Sequence, residues 1–348
     1  MRVEVQTTEG AAVEASPFES VGLGPFELDD GTALPGLTVA YRHDGPRPGT
    51  APQALVIHAL TGSADAAGDW WEPLIGAGRA LDTDRLGVLS ANLLGGRYGT
   101  TGPTSIDPRT GRPYGAAFPA ISTRDQARAQ WRLLDALGIE RLDLVVGGSL
   151  GGMVALEVAL SRPRGVREVM PIAAPAATGP MAVAWNRLQI ELIDRLGLDG
   201  LALARELAMT TYRSEVDFDE RFGRSVEPDG RPSIVSYLDH QGRKLVDRFD
   251  PATYRILAGA MDRHDIGVAW GGLDGAFGRL AIGGTRLTGV GIEGDILYGP
   301  RQVHALVDAA KAAGVGACYR EIRSTKGHDA FLVEWDQLAD LIGEALGD

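Results

Sequence analysis

Leu142-Asp143-Leu144-Val145-Val146-Gly147-Gly148-Ser149-Leu150-Gly151-Gly152-Met153-Val154-Ala155-Leu156 joins a β-like apolar run to a helix-like one through a glycine-rich turn. Leu142–Val146 reads as a buried strand and Met153–Leu160 as a helix. Between them stands G-x-S-x-G, the pattern of a strained strand-to-helix turn that lifts a serine above a sheet edge. The glycines are required because the turn is tight and the helix passes close to the sheet. The first turn of the helix offers backbone N–H groups to a developing anion beside Ser149. A dinucleotide-binding fingerprint fails here, because Ser149 occupies the place of its second glycine.

Working outward, the same alternation recurs. Leu37–Tyr41, Leu55–Leu60, Gly87–Leu94, Val169–Ala174, Val290–Ile292 and Tyr319–Ile322 are further short β-rich runs, several apolar almost throughout. Such runs belong to strands covered on both faces, so an α/β fold with a largely parallel sheet is expected. Thr123 with Gln126 reads as a capping box, followed by Ala127, Trp131, Leu134 and Leu137 at helical spacing and Gly138 as a stop. Val303–Ala313 and Phe331–Leu346 are similar helical patterns. From about Met181 to Arg286 the alternation breaks into Trp185–Leu196, Leu201–Thr211, Ile234–Phe249 and Pro251–Met261, all helical. The expected organisation is therefore a core of residues 1–180 and 287–348 with an all-helical cap, 181–286, inserted over the active face. Leu94–Tyr114 reads as a long loop directly after a strand, a place where ligands bind in open parallel sheets.

Composition narrows the function. Of 348 residues, 34 are Lys or Arg and 46 Asp or Glu, a net charge of −12, which argues against binding the phosphate backbone of nucleic acids. The single cysteine, Cys318, excludes a disulfide framework and a thiolate metal cluster. No run of about 18 apolar residues occurs, and MRVEVQTTEG lacks the charged-then-apolar pattern of a signal peptide, so a soluble, cytoplasmic protein is expected. No metal-ligand cluster is evident.

A serine hydroxyl becomes a nucleophile only when a base takes its proton, and in this fold class the order is Ser, acid, His. Of the six histidines, His240 and His264 fall in the cap region and His304 inside a helical pattern. His328, in Lys326-Gly327-His328-Asp329 between the last strand and the last helix, is placed to reach Ser149 across the sheet end. The acid should end the preceding strand, Val290-Gly291-Ile292-Glu293-Gly294-Asp295. Asp295 at its tip is favoured to orient His328; Glu293, two residues earlier, is the alternative. Two N–H donors are needed for an oxyanion: Leu150, after the nucleophile, and Leu60, in His58-Ala59-Leu60-Thr61-Gly62. His58 precedes the serine and reads as a loop brace.

Taken together, His58–Gly62, Asn92-Leu93-Leu94-Gly95-Gly96, Gly99-Thr100-Thr101-Gly102-Pro103, Gly147–Met153 and Gly327-His328-Asp329-Ala330-Phe331-Leu332 resemble the homoserine O-acetyltransferase family of α/β-hydrolase acyltransferases. The cap adds Leu201-Ala202-Leu203-Ala204-Arg205, Thr211-Tyr212-Arg213-Ser214-Glu215, Arg221-Phe222-Gly223-Arg224 and Tyr237-Leu238-Asp239-His240-Gln241-Gly242, and the blocks follow family order from about residue 25 to the C-terminus. The resemblance implies a triad of Ser149, Asp295 and His328. It places Arg205 on the acceptor's carboxylate and Asp329 on its ammonium, with acetyl-CoA as co-substrate and no bound cofactor. It implies L-homoserine as acceptor, hence methionine synthesis, and a homodimer formed through the cap. Serine as acceptor, succinyl as donor and a plain serine esterase are the rival readings. Two departures stand out: Arg97 where the family carries a cysteine, and a cap shortened between Leu196 and Gly200. Gly267–Gly275, with Trp270, matches no family block.

Overall fold

The computed structural model describes residues 18–347; the opening decapeptide lies outside them. Eight strands pair into one sheet: β1 (Glu19–Gly22), β2 (Thr38–Asp44), β3 (Gln53–Ile57), β4 (Gly87–Ala91), β5 (Leu144–Gly148), β6 (Glu168–Ile172), β7 (Arg286–Ile292) and β8 (Ala317–Ile322). Their spatial order is β1-β2-β4-β3-β5-β6-β7-β8. β2 runs antiparallel to both β1 and β4, and every pairing from β4 to β8 is parallel. β5 is therefore central, with β3 in register at Leu144↔Ala54 on one side and β6 at Val145↔Val169 on the other.

The near-continuous apolar runs are explained by what covers each face. Leu55, Ile57, Val145 and Val169 join one hydrophobic cluster, while their neighbours Ala54, Val56, Leu144, Val146 and Met170 join a second. Alternate side chains thus enter opposite cores, and neither face is left to water. Helices α1 (Thr123–Ala136), α2 (Leu150–Ser161) and, later in the chain, α8 (Leu273–Gly283) and α9 (Pro300–Ala312) fill the first core; α10 (Trp335–Leu346) and Trp71 fill the second. β1 escaped the sequence reading because Glu-Ser-Val-Gly is a short, largely exposed edge with no apolar run.

The insertion consists of α3 (Pro180–Leu196), α4 (Leu198–Tyr212), α5 (Glu215–Arg221), α6 (Ser233–Val246) and α7 (Pro251–Asp262). α3 turns back into α4 through Gly197, whose φ of +61° favours glycine, and a Cβ on Gly200 would strike the Leu192 carbonyl. The shortening noted at Leu196–Gly200 is this tight corner. α8 then packs on α2 and α9. The unassigned stretch around Trp270 is the corner leading into α8. The Arg279 guanidinium lies 3.9 Å from the Trp270 ring centre, and a Cβ on Gly275 would collide with the Trp270 carbonyl.

Two local readings need correction. The capping box of α1 is Ser122 with Asp125, one residue earlier than the expected Thr123 and Gln126. Ser122 is extended (φ −107°, ψ 165°) and accepts the Asp125 N–H, whereas Thr123 is already helical and gives its hydroxyl to His264. The last helix begins at Trp335, not Phe331, because Gly327–Leu332 forms a separate tight turn.

Candidate active site

Ser149 sits between β5 and α2 with φ +57° and ψ −124°, a strained conformation for a residue with a side chain. Its neighbours allow it. A Cβ on Gly147 would lie 2.6 Å from the Gly151 carbonyl carbon, one on Gly151 would strike the Ile57 carbonyl oxygen, and one on Gly148 would enter the Phe331 ring. The Ser149 N–H is fixed by the Ile172 carbonyl of neighbouring β6 at 2.9 Å. The strain is held by backbone packing from both adjacent strands.

Asp295 lies just beyond the carboxyl end of β7 and is buried; Glu293 points to solvent. One Asp295 oxygen accepts the Leu297 and Tyr298 N–H groups at 2.8 and 3.1 Å, leaving the other for His328 Nδ1 at 2.7 Å. With Nδ1–H donated to the carboxylate, Nε2 is the open nitrogen, and it is buried with no partner among the described residues. Three rings enclose the imidazole: Tyr212 at 5.8 Å, and Tyr298 and Phe331 each at 5.6 Å. Burial alone pulls the His328 pKa down, but the charge and hydrogen bond of Asp295, helped by the charge of Asp329, leave it raised above the ordinary imidazole value.

Leu150 opens α2, where the first N–H groups have no intrahelical acceptor. Leu60 lies in the turn after β3, closed by the Gly62 N–H to the Ala59 carbonyl at 2.9 Å. Neither the Leu60 nor the Leu150 N–H engages a backbone carbonyl among the described residues. His58 braces this turn: Nδ1–H donates to the Ala59 carbonyl at 2.8 Å, and Nε2 accepts the Leu93 N–H at 3.1 Å. Full burial lowers its pKa to about 4, so it stays neutral. A second tie comes from the cap, where Arg248 donates to the Thr61 carbonyl at 2.6 Å and its own carbonyl accepts the Tyr98 hydroxyl at 3.1 Å. Arg97, beside Tyr98, is half-buried and forms no ion pair among the described residues.

On the cap side, Arg205 of α4 has no carboxylate partner among the described residues and stands 5.4 Å from the centre of the Tyr212 ring, which itself faces His328. Asp329 is 9% exposed and lies 3.1 Å from Arg213 Nε. That contact is an ion pair without hydrogen-bond alignment, since the Arg213 Nε–H has no geometric acceptor. Arg213, Asp217, Lys326 and Arg248 were not singled out from the sequence. The only available signal was that Arg213 belongs to a block carrying the resemblance and that Asp217 follows it by four residues. The other histidines lie elsewhere: His43 is 3.4 Å from Gln53 Oε1, His264 bonds Thr123 and Pro175, His304 stacks on Tyr319 at 3.5 Å, and His240 is exposed. No group of three His, Cys, Asp or Glu gathers as metal ligands among the described residues, and no helix there is long and apolar enough to cross a membrane.

Residues 55–224 match the model of the α/β hydrolase fold. A homoserine O-acetyltransferase of Moorella thermoacetica is 43% identical over 347 residues, covering 91% of this chain and 92% of that protein. One from Thermus thermophilus is 46% identical over 316 residues, covering 83% and 80%. The chain belongs to the homoserine O-acetyltransferase family. A crystal structure of homoserine O-acetyltransferase from Bacillus anthracis superposes with a TM-score of 0.87 at 24% identity, covering 95% of this chain and 97% of that one, a likeness of fold. The strand order and the inserted helices described above are therefore those of an α/β-hydrolase enzyme.

Proposed function

We propose that this enzyme transfers an acetyl group from acetyl-CoA to the hydroxyl of L-homoserine by a ping-pong route through acyl-Ser149, a step of methionine synthesis carried out in the cytoplasm. Ser149 Oγ attacks the thioester carbonyl while His328 Nε2 takes its proton, and Asp295 stabilises the imidazolium. The Leu150 and Leu60 N–H groups receive the oxyanion. The thiol of CoA leaves with the proton from His328. The acceptor hydroxyl then gives its proton to His328 and attacks the acyl-serine, and Ser149 regains its proton as the ester departs.

The observation that carries the acceptor reading is Arg205. A half-buried guanidinium without a carboxylate among the described residues, beside a ring that packs on the general base, suits a ligand carboxylate held bidentately. A water-using esterase has no need of it. Asp329, balanced by Arg213 yet accepting no hydrogen bond among the described residues, is left to receive the ammonium. Homodimerisation through the cap is supported by Met181, Leu188 and Leu196 of α3 and by Leu198 at the start of α4, which are 62%, 55%, 50% and 57% exposed. The deciding experiment measures thiol release with acetyl- and succinyl-CoA against L-homoserine and L-serine. Acetyl-CoA with homoserine should be the fastest pair, and release independent of any amino acid would make the enzyme an esterase. Sedimentation of Leu188→Asp should show monomer where the wild type shows dimer.

A further inference from the structure

The turn that carries the base is not held by the core alone. Between Tyr212 and Asp217 the cap runs against Thr325–Asp329 and meets it residue by residue. The Tyr212 ring faces His328, Arg213 pairs with Asp329, the Ser214 hydroxyl donates to the Thr325 carbonyl, and Asp217 accepts Lys326 Nζ at 2.8 Å. The approach is tight enough that a Cβ on Gly327, at φ +67°, would lie 2.8 Å from the Ser214 nitrogen. Asp217 is wholly buried and gathers three cations: Lys326, Arg221 at 3.5 Å and Arg213 at 3.7 Å. A buried carboxylate with three basic partners is an anchor, since removing its partners would leave its charge uncompensated.

We infer that Arg213 is a positioning residue for the acceptor side of the site: anchored by Asp217, it aims and balances Asp329 while leaving that carboxylate free to accept hydrogen bonds from an ammonium group. The inference rests on the proposed role of Asp329. The charged and titratable groups facing His328 are Asp295 from the end of β7, Asp329 from its own turn, and the phenols of Tyr212 and Tyr298; Arg213 reaches the imidazole only through Asp329. Without Arg213, the Asp329 charge acts on His328 unbalanced and favours its protonated form.

The test uses the full chain and two readouts. The first is the pH dependence of p-nitrophenyl acetate turnover, which needs no amino acid. In Arg213→Met its acid limb should move to higher pH by about half a unit, and Arg213→Lys should return it. The second is transfer from acetyl-CoA: homoserine KM should rise by about tenfold while the initial burst of CoA keeps its amplitude. If Arg213→Met does not fold, Arg213→Gln removes the charge while keeping a donor, and the same displacement is expected. An unmoved limb together with an unchanged KM would overturn the inference and make Arg213 a structural brace. Failure of the proposed function shows separately, as wild-type enzyme whose thiol release ignores homoserine and serine; the ester limb would then still report on Arg213.

Discussion

The rim of the sheet and the underside of the cap meet at His328, yet they are built on different principles. On the rim, Ser149, Asp295 and Leu150 are fixed by backbone: a strained turn between two strands, two N–H groups on one carboxylate oxygen, the first residue of a helix. On the cap, Arg205, Arg213 and Asp217 act through long or charged side chains, and Arg205 has no carboxylate partner among the described residues. On the proposed mechanism, the rim would meet a charge that develops during reaction, and the cap charges that arrive with a ligand. Acyl chemistry should therefore depend on the rim in both half-reactions, and the cap should matter only once an acceptor enters.

The largest effect should come from Ser149→Ala, which removes only a hydroxyl from a turn already held by glycines. Turnover should fall by about a thousandfold or more with no change in thermal unfolding. Mass spectrometry of wild-type enzyme with acetyl-CoA alone should find one acetyl adduct on Ser149. An adduct elsewhere would detach the chemistry from the rim.

His328→Ala should be comparably damaging, and Asp295→Asn severely so, because an amide cannot hold the Nδ1–H or stabilise imidazolium. Activity requires neutral His328, so it should rise with pH through a pKa above the ordinary imidazole value, the direction set by Asp295 and Asp329. A limb below that value would mean that burial outweighs the carboxylates. Glu293→Gln should leave the profile in place, since that side chain faces solvent.

Arg205→Ala should separate the two regions. The CoA burst should survive, while homoserine KM rises roughly tenfold to a hundredfold, as expected for a charge-assisted hydrogen bond worth about 1.5–3 kcal/mol. The acyl-enzyme should then drain to water, shifting product from acetylated amino acid to free acetate. Unchanged KM and product ratio would make Arg205 a surface charge.

This division also explains what was legible in the sequence. The elbow, the Asp295 strand tip and the His328 turn each announce themselves within about ten residues, because a strand, a glycine and a helix start are local signals. Choosing Asp295 over Glu293 needed only the idea that the acid ends its strand; the structure brings Asp295 to 2.7 Å from His328 Nδ1 and leaves Glu293 exposed. The clamp between Tyr212–Asp217 and Thr325–Asp329 joins segments more than a hundred residues apart, and nothing in either segment names the other. The one-residue error in the α1 cap has a different cause: Ser122 and Thr123 are adjacent capping types, and only tertiary demand, the His264 partner of Thr123, decides between them.

The smallest effect concerns acid stability, and it should appear in both regions. His58 braces the turn after β3 at the rim, and His264 ties the end of α7 to Thr123 and Pro175 where the cap rejoins the core. Burial lowers both pKa values to about 4, against an ordinary value of 6.5. Each histidine is thus neutral in the fold where it would be protonated in the unfolded chain, so the unfolded state binds more protons across that window. Their contribution is complete above pH 6.5 and is lost as pH falls toward 4, at up to about 1.4 kcal/mol per pH unit for each. His328, with its pKa raised, acts above that window: its contribution is full below pH 6.5 and is lost as pH rises through its folded value, so it leaves the acid loss between pH 6.5 and 4 to the other two. His264→Gln can keep the Thr123 and Pro175 hydrogen bonds without titrating. Urea unfolding at pH 7.5 and 5 should show its acid loss reduced by about 2 kcal/mol relative to wild type. An undiminished loss would mean that His264 does not carry the acid sensitivity of the cap hinge, leaving His58 and the rim to account for it.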